Sequence, residues 1–168
     1  MNRDELKAAQ APLKDRYRSD PTSALVTLRA TGQLGDEVSC NVDTGRALVK
    51  AGLHPATGGA GLAVCSGDML LQALVACAGV TLNAVATSMG LVVRGGSLTA
   101  EGELDFRGTL GVSKETPVGF RGIRLQITLD TDATPAEKQK LLELTERYCV
   151  VYQTIKSGPP VEVKLART

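Results

Sequence analysis

From Ser66 to Gly90 the chain runs 25 residues without a lysine, arginine or glutamate, and with a single acid, Asp68, at its start. A run this long and apolar exceeds any ordinary strand, so it is either a helix covered on most sides or a membrane span. Gln72, Thr81, Asn83, Thr87 and Ser88 interrupt it, and Gly79 and Gly90 weaken it. The expectation is a water-soluble helix ending at Gly90 and buried on nearly all sides. Everything else in the chain must therefore wrap around this one segment.

A second helix announces its start. Thr134 reads as an N-cap, Pro135 as the first helical residue and Glu137 as the reciprocal partner of a capping box. Leu141, Leu144, Tyr148 and Cys149 continue it to about Tyr152, and Ser157-Gly-Pro-Pro160 stops it. Between the helices lies the strongest strand signal. Leu98, Ala100, Gly102, Leu104, Phe106, Gly108 and Leu110 alternate with Thr99, Glu101, Glu103, Asp105, Arg107 and Thr109. Such alternation predicts one wet and one buried face of an antiparallel sheet. Ile123 to Leu129 repeats the pattern, and Val161, Val163 and Leu165 read as a final strand.

Upstream, residues 24–30 read as a strand, Thr31 to Gly35 as a turn, and residues 37–42 and 46–51 as two more strands. Residues 4–18 carry helical spacing broken by Pro12, an N-terminal helical extension covering 1–20. Residues 52–61 form a glycine-rich loop that lacks the Lys-Ser/Thr ending of a phosphate loop. The order of strands, helix, strands, helix, strand predicts one α+β domain over residues 1–168, with antiparallel sheet packed against two core helices.

Composition excludes several function classes. A formal charge of +1 and a pI near 7.6 give no field to hold nucleic acid or a charged membrane. Aromatic residues make up 3% of the chain and tryptophan is absent, so stacking platforms for bases are not expected. The charged N-terminus has no apolar run of the secretory kind, and four cysteines without one point to the reducing cytoplasm.

The cysteines are Cys40, Cys65, Cys77 and Cys149; no two are spaced Cys-x-x-Cys, and His54 is the only histidine. A zinc site is therefore not expected, and no cofactor is. Cys77 and Cys149 lie in the two helix patterns, each on the apolar face. Two readings stay open on spacing alone: small core residues, or a thiol pair suited to reversible disulfide chemistry.

The segment Ser66-Gly-Asp-Met-Leu-Leu-Gln-Ala-Leu-Val-Ala-Cys77-Ala-Gly-Val-Thr-Leu resembles the central helix of the osmotically inducible protein C and organic hydroperoxide resistance (OsmC/Ohr) superfamily. Cys149-Val-Val-Tyr-Gln-Thr-Ile resembles that family's second signature, Cys-Pro-x-Ser-x-x-Leu, and residues 100–108 resemble one of its strands. The resemblance spans roughly residues 24–166. It implies an OsmC-like fold, an intertwined homodimer, and a thiol peroxidase acting on bulky organic hydroperoxides. In that reading Cys77 is the peroxidatic and Cys149 the resolving cysteine, and an external dithiol, dihydrolipoamide or a lipoylated protein, is the reductant. Neither nucleic acid nor membrane is implied as a partner.

The family activates its cysteine with an arginine oriented by a glutamate ten residues before it. Here that position is Gly67, with Asp68 beside it as the candidate carboxylate and Arg46 as the preferred arginine, ahead of Arg29 and Arg18. Val150 stands where the family has proline. The alternative function is a binding or redox-sensing protein on the same scaffold, holding an apolar acid or lipid without turnover.

Overall fold

The computed structural model describes residues 2–5, 8, 10, 11, 19, 31–34, 39–43, 48–58, 60–111 and 113–166. Strands β1 (Thr31–Leu34), β2 (Ser39–Asp43) and β3 (Leu48–Gly52) form an antiparallel meander. Helix α1 (Ser66–Met89) follows, then β4 (Gly95–Glu103), the single turn α2 (Phe106–Thr109), β5 (Gly122–Asp130), α3 (Pro135–Tyr148) and α4 (Val150–Ser157). β4 and β5 pair antiparallel as a second, two-stranded sheet, Gly95 opposite Asp130 and Glu103 opposite Gly122. The architecture is α+β with antiparallel sheets, as the element order implies.

The first sheet corrects the reading upstream. Thr31 to Leu34, expected to turn, is strand, paired from Thr31–Asp43 to Leu34–Cys40. Glycine in a strand costs entropy but does not forbid pairing, and the ladder to β2 outweighs the local turn signal. The strand expected over 24–30, and most of the N-terminal extension, fall outside the described residues.

Helix α1 begins and ends where its residues say it should. Gly90 closes it in the left-handed conformation (φ 73°), its amide donating to the Ala86 and Thr87 carbonyls. Burial is narrower than expected. Leu74, Ala78, Leu82, Val85 and Ala86 form one buried stripe at three- and four-residue spacing, while Val80 is 72% exposed. The buried stripe packs on α3, β4 and α4. Leu82, Val85, Ala86 and Leu141 make the core, sealed by Met89, Leu91, Val93, Ile127, Leu129 and Leu144. Length and composition alone would also let α1 cross a bilayer; here its buried stripe is taken by protein.

Three more expectations are corrected. The alternation from Leu98 does not run as strand to Leu110. The Asp105 carboxylate accepts from the Arg107 amide (3.1 Å) and pairs with its guanidinium (2.6 Å), starting the turn α2. A side chain that binds its own backbone competes with the strand ladder, and here it wins. The second helix is not continuous but breaks at Cys149 (φ −73°, ψ 108°) into α3 and α4. Its start is as read: Thr134 and Glu137 exchange both capping-box bonds, at 2.8 and 3.3 Å. The last segment, 161–165, is not a strand and pairs with none among the described residues. Val161, Val163 and Leu165 stand in solvent beside a Lys164–Glu162 ion pair of 2.8 Å. Alternation supplies a strand-ready segment; pairing also requires an open edge within reach.

Candidate active site

The break between α3 and α4 is where the chemistry gathers. The Cys149 amide still donates to the Thr145 carbonyl (2.9 Å), closing α3, while its extended backbone makes it the N-cap of α4. Its sulfur accepts from the Tyr152 amide at 3.5 Å. Two β-branched residues, Val150 and Val151, follow, and such residues lose side-chain freedom in helices, which favours a break here. Side chains then tie the two helices across the break. The Tyr152 hydroxyl donates to the Glu146 carboxylate (3.0 Å), and the Gln153 amide donates to the Glu146 main-chain carbonyl (2.8 Å).

Packing of α1 on this junction brings Cys77 and Cys149, 72 residues apart, close enough for each free thiol to bear on the other's ionisation. The two are unequal. Cys149 is 1% exposed, whereas Cys77 is only partly buried. Desolvation alone would push the Cys77 thiol up. The polar groups near it, the Val151 amide, the Cys149 thiol, the Thr81 hydroxyl and the Val150 amide, favour its charged form and together hold it below the ordinary thiol value. Cys149 is pushed up, first by its burial and then by the neighbouring Cys77, against the pull of the Tyr152 and Val151 amides. The more accessible thiol is thus the more acidic of the two. This arrangement suits an attacking thiolate backed by a thiol that enters later.

Selectivity toward an alkylating agent follows. Iodoacetamide at neutral pH is expected to label Cys77 well before Cys149, read by peptide mass spectrometry at timed quenches. Because only the thiolate reacts, the Cys77 rate falls as pH drops through its lowered pKa. Equal labelling of both would contradict the geometry.

A cavity of about 630 Å³ lies beside the pair, walled by Leu70, Leu74, Phe120, Ile123, Leu125, Tyr152, Ile155 and Lys156. Leu74 is one turn before Cys77, and the Tyr152 amide is bound to Cys149, so the thiols border its end without lining it. Its walls are apolar apart from Lys156, whose ammonium lies 5.4 Å from the Tyr152 ring centre.

The other candidate residues lie elsewhere. Asp68 sits in the first turn of α1, nine residues before Cys77, which is about 13 Å along the helix axis. There it complements the positive end of the helix. It lines a second cavity with His54, Cys65, Glu103, Phe106 and Phe120. A Cβ on Gly67 would face Phe120 and Leu104 at 3.4 and 3.6 Å, toward that cavity. Arg46, Arg29 and Arg18 lie outside the described residues. His54 is used structurally: its Nδ1 accepts from the Ala56 amide (3.0 Å) and its ring stacks on Phe106 at 4.9 Å. Cys65 is the N-cap residue of α1, and Cys40 stands in β2 opposite Leu34 and Ala51. Among the described residues no three metal-ligating side chains gather. Sequence reasoning read Thr81 as an interruption of the apolar run and did not single out its hydroxyl or the two valine amides as neighbours of Cys77. The Val-Val pair after Cys149 was the available signal for them.

A family model described as OsmC-like protein matches residues 58–164. No curated protein matches the chain. Among solved structures, an OsmC-like protein from Mycoplasma pneumoniae is similar at 15% identity and a TM-score of 0.67, over 79% of this chain and 89% of that one. An organic hydroperoxide resistance protein OsmC from Legionella pneumophila is similar at 21% identity and a TM-score of 0.62, over 80% and 92%. The organic hydroperoxide resistance protein OhrB of Bacillus subtilis is similar at 19% identity and a TM-score of 0.54, over 80% and 94%.

Proposed function

Because this chain belongs to the OsmC-like protein family, we propose that its redox function is that of a thiol peroxidase for bulky, apolar organic hydroperoxides. The observation that carries this reading is the closeness of a partly buried Cys77, its thiol shifted down, to a fully buried Cys149, its thiol shifted up. The Cys77 thiolate attacks the distal peroxide oxygen, the O–O bond breaks, and the leaving alkoxide takes a proton to depart as the alcohol. Cys77 is left as sulfenic acid, oxidised by two electrons. The Cys149 sulfur then attacks the Cys77 sulfur, hydroxide leaves with the Cys149 proton as water, and a disulfide remains. An external dithiol returns both protons and both electrons by exchange and leaves as its own disulfide. The apolar cavity beside the pair suits the alkyl part of such a substrate.

The uncovered residues suit a homodimer. Val80 and Leu70 on α1, and the unpaired alternating segment ending in Leu165 (99% exposed), leave apolar surface that a second copy would cover.

The test is to add sub-stoichiometric cumene hydroperoxide to the reduced protein and map peptides without reduction. A rapid Cys77–Cys149 disulfide is the expected product. Thiols that stay reduced would overturn the peroxidase reading in favour of a binding protein on this scaffold. Light scattering of the same sample should give twice the chain mass of 17.6 kDa.

A further inference from the structure

Phe120 borders the apolar cavity beside the thiols and also two further cavities, of about 380 and 360 Å³, toward the start of α1. Those two share His54, Cys65, Gly67, Leu104 and Phe106, so they form one second chamber. Leu53, Leu104, Phe106 and Val118 give it apolar walls of its own. On α1, Leu70 lines the first chamber and Leu71, its neighbour in the chain, lines the second. The Phe120 ring stands between them.

The ring has a seat cut for it. A Cβ on Gly102 would stand 2.5 and 2.6 Å from two of its carbons, closer than side chains come, so only glycine in β4 leaves the ring its place. A Cβ on Gly67 would meet the tip of the same ring at 3.4 Å. The Arg121 amide donates to the Glu103 carbonyl (2.8 Å) and ties the next residue to the end of β4. Position along α1 gives the direction. Leu74 lies three residues before Cys77, Leu70 seven and Gly67 ten, which is about 15 Å along the helix axis. The first chamber therefore runs from the thiols back along α1 and meets Phe120 at its far end.

We infer that Phe120 is a specificity-determining residue, the end wall that sets how long an alkyl chain can lie in the site while its other end reaches Cys77. What is selected rests on the peroxidase reading. That the ring closes the chamber does not, and it is tested with redox-inert straight-chain alcohols from butan-1-ol to dodecan-1-ol.

In the reduced, unaltered protein each added methylene should tighten binding about fourfold until the chain meets the ring, and then binding should level off. In Phe120→Ala the break should move to longer alcohols, with about fourfold gained for each methylene the second chamber admits and butan-1-ol unchanged. A break that stays where it was overturns the assignment. So does equal weakening across the series, which is what a merely structural role would give.

Should Phe120→Ala fail to fold, the unaltered protein answers, because the chain has only two phenylalanines to follow by NMR. Every alcohol that binds should shift the Phe120 ring signals, and none should shift those of Phe106, which lines the second chamber alone. Phe106 signals that follow dodecan-1-ol, or Phe120 signals that follow no alcohol, would overturn the inference even if the Cys77–Cys149 disulfide forms with peroxide. A break that moves in a protein inert to peroxide would uphold Phe120 as the wall of a binding site and sink only the peroxidase reading. With an active protein, Phe120→Ala should raise kcat/KM for dodecyl over butyl hydroperoxide, and an unchanged ratio would overturn the selection.

Discussion

Cys77→Ser is expected to reduce hydroperoxide consumption by at least about a thousandfold, because a serine hydroxyl remains protonated where the thiol ionises. The variant keeps the side-chain size and the donors around it, so folding should be unaffected. Cys149→Ser should behave differently. It leaves the attacking thiolate and removes only the group that resolves it, so one equivalent of peroxide is consumed and turnover stops. The stalled sulfenic acid on Cys77 should be trapped by dimedone and seen as a mass adduct. Alcohol release in a single burst, measured against enzyme concentration, separates the two steps. Multiple turnovers by Cys149→Ser would require another resolving thiol, for which Cys40 and Cys65 remain. Full activity in Cys77→Ser would remove the thiol mechanism altogether.

The second large effect is on stability. Leu141 is 1% exposed and joins α3 to the buried stripe of α1 through Leu82, Val85 and Ala86. Leu141→Ala removes three heavy atoms from the middle of that contact and leaves a void that helices on both sides close only partly. The expected loss is about 2–5 kcal/mol. Against a total of about 5–15 kcal/mol, that is a large share. For a domain of this size, thermal unfolding should drop by about 10 °C. Leu142→Ala, at a neighbouring but exposed position, serves as the control and should cost within about 0.5 kcal/mol. Because α3 ends in Cys149, the same Leu141 variant should also slow disulfide formation after peroxide treatment. Its loosened seat holds Cys149 less firmly against Cys77. Equal denaturation midpoints for the two leucine variants would mean that this core does not carry the fold.

What was legible in the sequence and what was not divide by the range of the forces involved. Thr134, Pro135 and Glu137 mark the start of α3 because the capping bonds join residues three positions apart. Gly90 ends α1 because it alone relaxes into a left-handed turn there. The alternation of β5 is legible because a strand has a two-residue period, and its observed burial alternates residue by residue. In each case the residues that decide the structure are neighbours in the chain.

Where the sequence misled, a contact between particular groups overrode a local pattern. Asp105 ended the alternation of β4 by binding Arg107. The helix through Cys149 broke because its sulfur, Glu146, Tyr152 and Gln153 satisfy both helix ends at once. Val161 to Leu165 has a strand's periodicity and no partner strand among the described residues.

By itself, then, the sequence determined where α1 ends and α3 begins, which faces are apolar, and that two cysteines lie on such faces. Only the tertiary structure decided that those cysteines come together, and that one is the more accessible and more acidic while the other is enclosed. The physical reason is that caps and periods act over three or four residues. The approach of Cys77 to Cys149 spans 72 and is set by how α1 packs on the junction of α3 and α4.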